Sequence, residues 1–177
     1  TSNWLNAVAY SKMVLDDKQI TNEVRIYSNY ILGMAHYMLE NATDAIAAFT
    51  AVANSTTDEM SVESRFYIAE LWYKQNDYVK ADAEALLIIK NPNKYDYWIA
   101  KAVLLQSRIQ LAQNDFVKAE QLVTKVINKY PHEGDGIMEE ATALLEEINQ
   151  LKNPKRVEET EVEDEVEINE NYDAENY

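Results

Sequence analysis

Two histidines, His36 and His132, are the side chains best suited to proton transfer near neutral pH. They are separated by 96 positions and lie in different sequence surroundings. His36 falls among aromatic and apolar residues, which indicates packing in the core or in a groove. His132 follows Pro131 and is expected in a solvated turn. Since the sequence contains no HExxH, P-loop or GxSxG pattern, we predict no catalytic residues and no enzymatic activity.

Metal and cofactor chemistry has equally little support in the sequence. Cysteine is absent, which excludes disulfides and thiolate zinc sites. The segment "EGDG" at 133–136 lacks the ligand spacing of an EF-hand loop. Carboxylates are so frequent in this chain that finding two or three of them together carries little weight. We therefore expect neither a metal nor a cofactor.

The net charge of −15 is concentrated near the carboxyl end. Residues 158–177 contain ten acids and no lysine or arginine, which leaves 21 acidic and 16 basic side chains elsewhere. Such a mildly acidic surface repels phosphate backbones, so nucleic acid is not an expected partner. No apolar run approaches the ~20 residues that span a bilayer, and we predict no membrane span.

The elements that would position any binding residues are repeated along the chain. Four segments align on Ala7, Ala45, Ala81 and Ala119, at spacings of 38, 36 and 38 residues. A near-constant period of this size is typical of stacked supersecondary units. In each full unit, apolar residues recur at i, i+3, i+4 and i+7 on both sides of a polar turn. With only three glycines and three prolines, we predict an all-α fold, an α-solenoid of antiparallel helix pairs.

The small residues of each unit have a mechanical role. The anchor alanines are expected where two antiparallel helices cross closely. Gly33, Ala69 and Ser107, each 12 residues before an anchor, would supply the facing small residue. The Asn-Asp pairs at 76–77 and 114–115 predict a left-handed helix end followed by a cap for the next helix. These positions mark crossing, turn and cap, and none of them needs to do chemistry.

The pattern resembles the tetratricopeptide repeat family over residues 3–151. Small residues 12 apart, an aromatic after the turn (Tyr78, Phe116) and Pro131 near a unit's end carry the resemblance. More narrowly, "SRFYIAELWYKQNDYVKA" and "YDYWIAKAVLLQSRIQLAQNDFVKAEQLVTKVI" are similar to the C-terminal repeats of large tetratricopeptide proteins encoded by Bacteroidetes. The resemblance implies a right-handed superhelix and a location in the cell envelope or periplasm. Any targeting signal would lie outside this chain, which is expected to be a piece of a larger repeat protein.

The predicted organisation follows the repeat. After Pro131, an amphipathic stripe is typical of a helix that caps the end of a solenoid. The stripe consists of Ile137, Ala141, Leu144, Leu145 and Ile148, and Glu139, Glu140, Glu146 and Glu147 lie mostly outside it. The last residues are too charged to bury a core. The chain divides into the second helix of an incomplete repeat, three full repeats, a capping helix and a disordered acidic tail, at 1–18, 19–56, 57–92, 93–132, 133–152 and 153–177.

The family's concave groove, carried over by register, implies a set of partner-binding residues. Tyrosine and methionine suit such a surface because they give large contact area or adapt their shape. Phe66, Leu104 and Leu111 share the register but are expected to pack between helices. A carboxylate clamp of the kind found in some relatives is not reproduced, since Tyr30 and Met34 replace its lysine and asparagine. The predicted groove residues are Tyr27, Tyr30, Met34, Tyr37, Glu63, Glu70, Tyr73, Lys74, Lys101 and Arg108.

These observations lead to the hypothesis of a non-catalytic scaffold that binds a peptide or helix of a partner protein in an aromatic groove. The alternative is a structural spacer or self-association module of a long solenoid, which would dimerise through the incomplete N-terminal repeat. A further hypothesis is that the acidic tail folds back on Lys74, Lys101 and Arg108.

Overall fold

A computed structural model describes residues 2–153 of the chain. They form eight α-helices joined by turns. No strand occurs within these residues, so the all-α prediction is confirmed. Apart from Asn153, the predicted acidic tail at 153–177 lies outside the described residues. The helices are α1 (Ser2–Asp16), α2 (Asn22–Met38), α3 (Ala42–Ala53), α4 (Glu59–Lys74), α5 (Tyr78–Ile89), α6 (Asp96–Ala112), α7 (Phe116–Lys129) and α8 (Ile137–Lys152).

Each helix packs against the next one along the chain, as expected for helix pairs in an α-solenoid. In addition, α6 contacts both α4 and α8, so these three helices of successive pairs lie side by side. The apolar core is divided accordingly. One cluster lies among α2, α3 and α4, a second among α4, α5 and α6, and a third among α6, α7 and α8.

The turns inside the helix pairs take the predicted left-handed conformation. Asn76 and Asn114 have φ values of 60° and 61°. The next residues cap the following helices, since Asp77 accepts from the Lys80 N–H and Asp115 from the Lys118 N–H. Glu40 takes the same conformation in the first turn, with φ of 58°, although a side chain without glycine's or asparagine's tolerance costs roughly 1–2 kcal/mol there.

Close helix crossings explain the small residues. Ala45, Ala81 and Ala119 are completely buried. The Ser107 hydroxyl donates to the Ala119 carbonyl oxygen at 2.7 Å, so α6 and α7 approach closely where predicted. At Gly33, however, the group that requires glycine is the Phe49 ring, one turn beyond Ala45. A Cβ atom at Gly33 would lie 2.7 Å from Phe49 Cδ1.

The last of the described helices, α8, lies at the end of the described stack. Its buried residues Ile137, Ala141, Leu144 and Ile148 follow the predicted stripe and pack against the cluster formed with α6 and α7. The helix begins at Ile137 because Gly136 is left-handed, with φ of 89°. Its opposite side is polar and exposed, so the apolar core of residues 2–153 ends at α8.

Candidate functional site

The surface formed by α2, α4, α6 and α8 brings most of the predicted groove residues together, and we call it the even-helix face. Side chains join each of these helices to the next. Tyr37 of α2 contacts Glu70 of α4, and Lys101 of α6 contacts Glu140 of α8. The face is therefore continuous across three helix pairs. Such continuity is expected when equivalent helices of successive repeats stack side by side.

Tyr67 lies at the centre of an aromatic cluster on this face. Its ring stacks on Phe49 with centroids 5.1 Å apart and meets the Tyr37 ring at the same distance. Edge contacts to Phe66 and Trp98 extend the cluster towards α6. Burial, together with a nearby glutamate charge, raises the pKa of Tyr67 to about 12, so its hydroxyl is neutral at physiological pH. Phe49 and Phe66 are buried, whereas Tyr37, Tyr67 and Trp98 are half-buried and form the outer side of the cluster.

A polar triad of Tyr37, Glu70 and Lys74 joins α2 to α4. The Tyr37 hydroxyl donates to Glu70 Oε2 at 2.7 Å and accepts from Lys74 Nζ at 2.9 Å. Lys74 Nζ also lies 3.5 Å from Glu70 Oε1 and 4.6 Å from the centre of the Tyr37 ring. Burial alone would lower the pKa of Lys74, but these interactions with Tyr37 and Glu70 raise it. All three groups therefore have a partner within the chain.

A cavity of about 240 Å³ opens between α4, α6 and α8. Lys101 Nζ donates to Glu140 Oε2 at 2.7 Å and lies 5.3 Å from the centre of the Phe66 ring. Arg108 Nη2 lies 3.6 Å from Glu140 Oε1. Three cations and two carboxylates surround an apolar floor, so the cavity carries a small positive excess. The lining residues are Phe66, Glu70, Tyr73, Lys74, Lys101, Leu105, Arg108 and Glu140.

Tyr73 lines this cavity and also packs inward. Its ring lies 5.7 Å from that of Tyr78. Burial raises the pKa of Tyr73, and the positive charge of Arg108 opposes that effect. Two cations of the cavity contact Glu140, and Arg108 lies farther from it than Lys101 does, at 3.6 Å against 2.7 Å. The longer contact leaves guanidinium donors of Arg108 available to a partner.

The remaining predicted residues lie at the α2 end of the face. Tyr30 and Met34 are half-buried and pack against the cluster that contains Phe49, so their rings and thioether are partly structural. Tyr27 is 51% exposed and borders a separate pocket with Glu23 and Met60. Thus α2 contributes both an exposed tyrosine and core side chains.

Phe66 and Leu104, which were expected to pack between helices, are buried. Phe66 and Leu104 are 8% and 0% exposed, respectively. Leu111 is half-buried and packs against the cluster of α6, α7 and α8.

Sequence reasoning missed three residues of this face: Tyr67, Trp98 and Glu140. Tyr67 follows Glu63 by four positions, a spacing that places both on one side of α4. Trp98 occupies the first turn of α6, and its indole N–H donates to Glu59 Oε1 at 3.1 Å. Glu140 was assigned to the outer side of the capping helix. Its inward contact depends on how α8 docks beside α6, for which the local sequence has no signal.

The two histidines lie apart from one another. His36 is 5% exposed, and burial lowers its pKa. His132 is exposed, with Nε2 3.1 Å from Asp96 Oδ2. Among residues 2–153, no three His, Cys, Asp or Glu side chains are arranged to hold a metal ion.

The chain matches no protein-family model, no curated protein and no solved structure. None of the described helices combines the length and apolar character needed to cross a bilayer. Its function is therefore inferred from the geometry of the even-helix face.

Proposed function

We propose that this protein is a non-catalytic interaction scaffold of the tetratricopeptide type, which binds a peptide or helix of a partner protein along the even-helix face. The observation that carries the proposal is the continuity of that face. Aromatic rings at α2 and α4 lead directly into the cavity between α4, α6 and α8. A segment of a partner could thus contact several helix pairs at once.

The physical basis of binding is complementarity to a preformed surface. Because rings such as Tyr37 and Tyr67 are held by their neighbours, little side-chain entropy is lost when a partner docks. Aromatic residues and arginine in desolvated pockets supply most of the free energy in such interfaces. Tyr73 and Arg108 fit that role, since both line the cavity and neither is fully buried.

Site-specific photo-cross-linking tests the proposal. A benzophenone amino acid would replace Lys74 on the even-helix face, and in a control chain it would replace Val79, which is 82% exposed on α5. Cross-linking in the source cells should join the Lys74 variant, but not the Val79 variant, to a partner. Recovery from the envelope or the cytosolic fraction would test the cell-envelope location that the resemblance implies. Partners joined only at Val79 would contradict the proposed face.

Self-association is a second candidate function, favoured by exposed apolar side chains on α1. Leu5, Tyr10 and Met13 are 58%, 65% and 64% exposed, respectively. Two copies could bury these residues in a symmetric interface. Light scattering over a range of concentrations should then show a dimer that dissociates in a Met13→Glu variant. A monomer at all concentrations would exclude this function for the chain.

A further inference from the structure

Glu63 differs from the other half-buried glutamates of the described chain. In residues 2–153 it is the one such glutamate with no lysine or arginine at ion-pair distance. A partly buried carboxylate without a cation is unfavourable, because water no longer solvates it fully. The paired glutamates and their cations are Glu70 with Lys74, Glu84 with Arg65, Glu120 with Lys152, and Glu140 with Lys101 and Arg108.

The surroundings of Glu63 are aromatic and acidic. Tyr67 follows Glu63 by one helical turn on α4, and Tyr30 packs against the Phe49 ring on which Tyr67 stacks. Glu59 precedes Glu63 by one turn on the same helix, and its negative charge repels the Glu63 carboxylate. Burial first, and that repulsion in addition, raise the pKa of Glu63, and the two tyrosines offset part of the effect. Glu59 also holds the Trp98 indole N–H, which brings a further ring to the site. The position lacks a positive charge and is surrounded by rings.

The paired triad of the same face shows what is missing. Seven residues, or two helical turns, before Tyr37, Glu70 and Lys74 lie Tyr30, Glu63 and Tyr67, respectively. In the first set the lysine ammonium contacts both the carboxylate and the tyrosine ring. In the second set the tyrosine and the glutamate are retained, but the third position holds Tyr67 in place of the cation.

We propose that the site formed by Tyr30, Glu63 and Tyr67 receives a lysine or arginine side chain of the bound partner. The inference rests on the proposed function, because it names the chemistry of a segment docked on the even-helix face. A basic side chain would complete the second triad as Lys74 completes the first. It would pair with the carboxylate and contact tyrosine rings, a combination that stabilises desolvated cations. A metal ion would require more oxygen ligands than one carboxylate with tyrosine hydroxyls provides.

Selection from a displayed library of short random peptides tests this inference without knowledge of the natural partner. Peptides would be selected on the intact chain at physiological salt and on a Glu63→Lys variant. Peptides selected on the original chain should share a basic residue at one position. The Glu63→Lys variant should select an acidic residue there, because reversing the charge of a recognition site reverses its preference.

Affinity measurements on one selected peptide then locate the effect. The Glu63→Gln substitution should weaken binding by at least about tenfold, roughly 1.4 kcal/mol. The same substitution should leave the affinity unchanged for a peptide whose basic residue is replaced by norleucine. A Glu146→Gln variant is the matched control, since it removes one negative charge from the exposed side of α8. Circular dichroism would establish that each variant is folded, and if Glu63→Lys is not, the Glu63→Gln comparison decides alone.

The possible failures are distinguishable. If peptides bind and block cross-linking at Lys74 but show no basic preference, the cation site is wrong while binding on the face stands. A basic preference that persists in Glu63→Lys would also overturn the cation site. If no peptide is enriched on the intact chain, both the site and the proposed peptide-binding function are contradicted.

Discussion

Replacing Gly33 with alanine is expected to destabilise the protein, although alanine is the better helix former. Gly33 lies inside α2, where a Cβ atom would sit 2.7 Å from Phe49 Cδ1 and 2.8 Å from Cε1. Phe49 is completely buried and stacks on Tyr67. The ring therefore cannot move away from the new methyl group without disturbing the aromatic cluster of the even-helix face.

Two opposing effects set the size of the change. Alanine in place of glycine favours a helix by about 1 kcal/mol. Forcing an additional methyl group into a packed core costs roughly 1–3 kcal/mol. We expect the second effect to prevail, with a net loss of about 1 kcal/mol in the free energy of unfolding. The sign of the change is thus more informative than its size.

Urea denaturation followed by circular dichroism measures this change. An Ala83→Gly variant on the exposed side of α5 gives the helix-propensity difference in the same chain without a packing effect. In a Phe49→Leu background, which removes the ring edge, Gly33→Ala should become neutral or stabilising. The difference between the two backgrounds is the coupling energy of the contact. A Gly33→Ala protein that is more stable than the original chain by about 1 kcal/mol would refute the packing argument.

Two other predictions concern the even-helix face. The pKa of Tyr67 is about 12 in the folded chain, above the value of 10.0 for a free side chain, so unfolding releases its proton between these pH values. The contribution of Tyr67 to the free energy of unfolding is complete below pH 10 and is lost as the pH rises towards 12. In urea titrations at successive pH values, the free energy of unfolding of a Tyr67→Phe variant should therefore decline less steeply over this range. An equally steep decline in the variant would contradict the prediction. Glu140→Gln removes the partner of Lys101 and Arg108 and should lower the free energy of unfolding by about 1 kcal/mol after allowance for solvent screening. In a Lys101→Met background the loss should be smaller, and equal losses in both backgrounds would show that the pair does not stabilise the docking of α8.

Features fixed by local sequence were predictable. Asn76 and Asn114 end their helices in the left-handed conformation because their short side chains tolerate it, and the following aspartates cap because the free N–H groups lie three residues ahead. Glu40 takes the same conformation without such a residue type. There the helix pair requires the turn, and tertiary packing overrides the local preference.

Features that depend on contacts between distant elements were not predictable. Register placed Tyr37 and Glu70 on one groove, but their hydrogen bond joins residues 33 positions apart and depends on the crossing of α2 and α4. The sequence showed that Gly33 is a small residue at a helix crossing. Its contact with Phe49 depends on which turn of α3 lies opposite Gly33, and that is set by the packing of the two helices. Glu140 was assigned outward because a single helix shows which side is apolar but not which neighbour its polar edge meets.

The last described helix, α8, also supplies a counter-charge to the even-helix face. Glu140 lies on the edge of α8 and contacts Lys101 and Arg108, while Leu144 on the same helix is buried in the core. Parts of a folded chain open locally at free energies below that of global unfolding. Each opening of α8 would therefore unmask two positive charges beside the cavity at the same moment as it exposes core leucine. Opening of α8 and a change in the electrostatic potential of the even-helix face are therefore coupled.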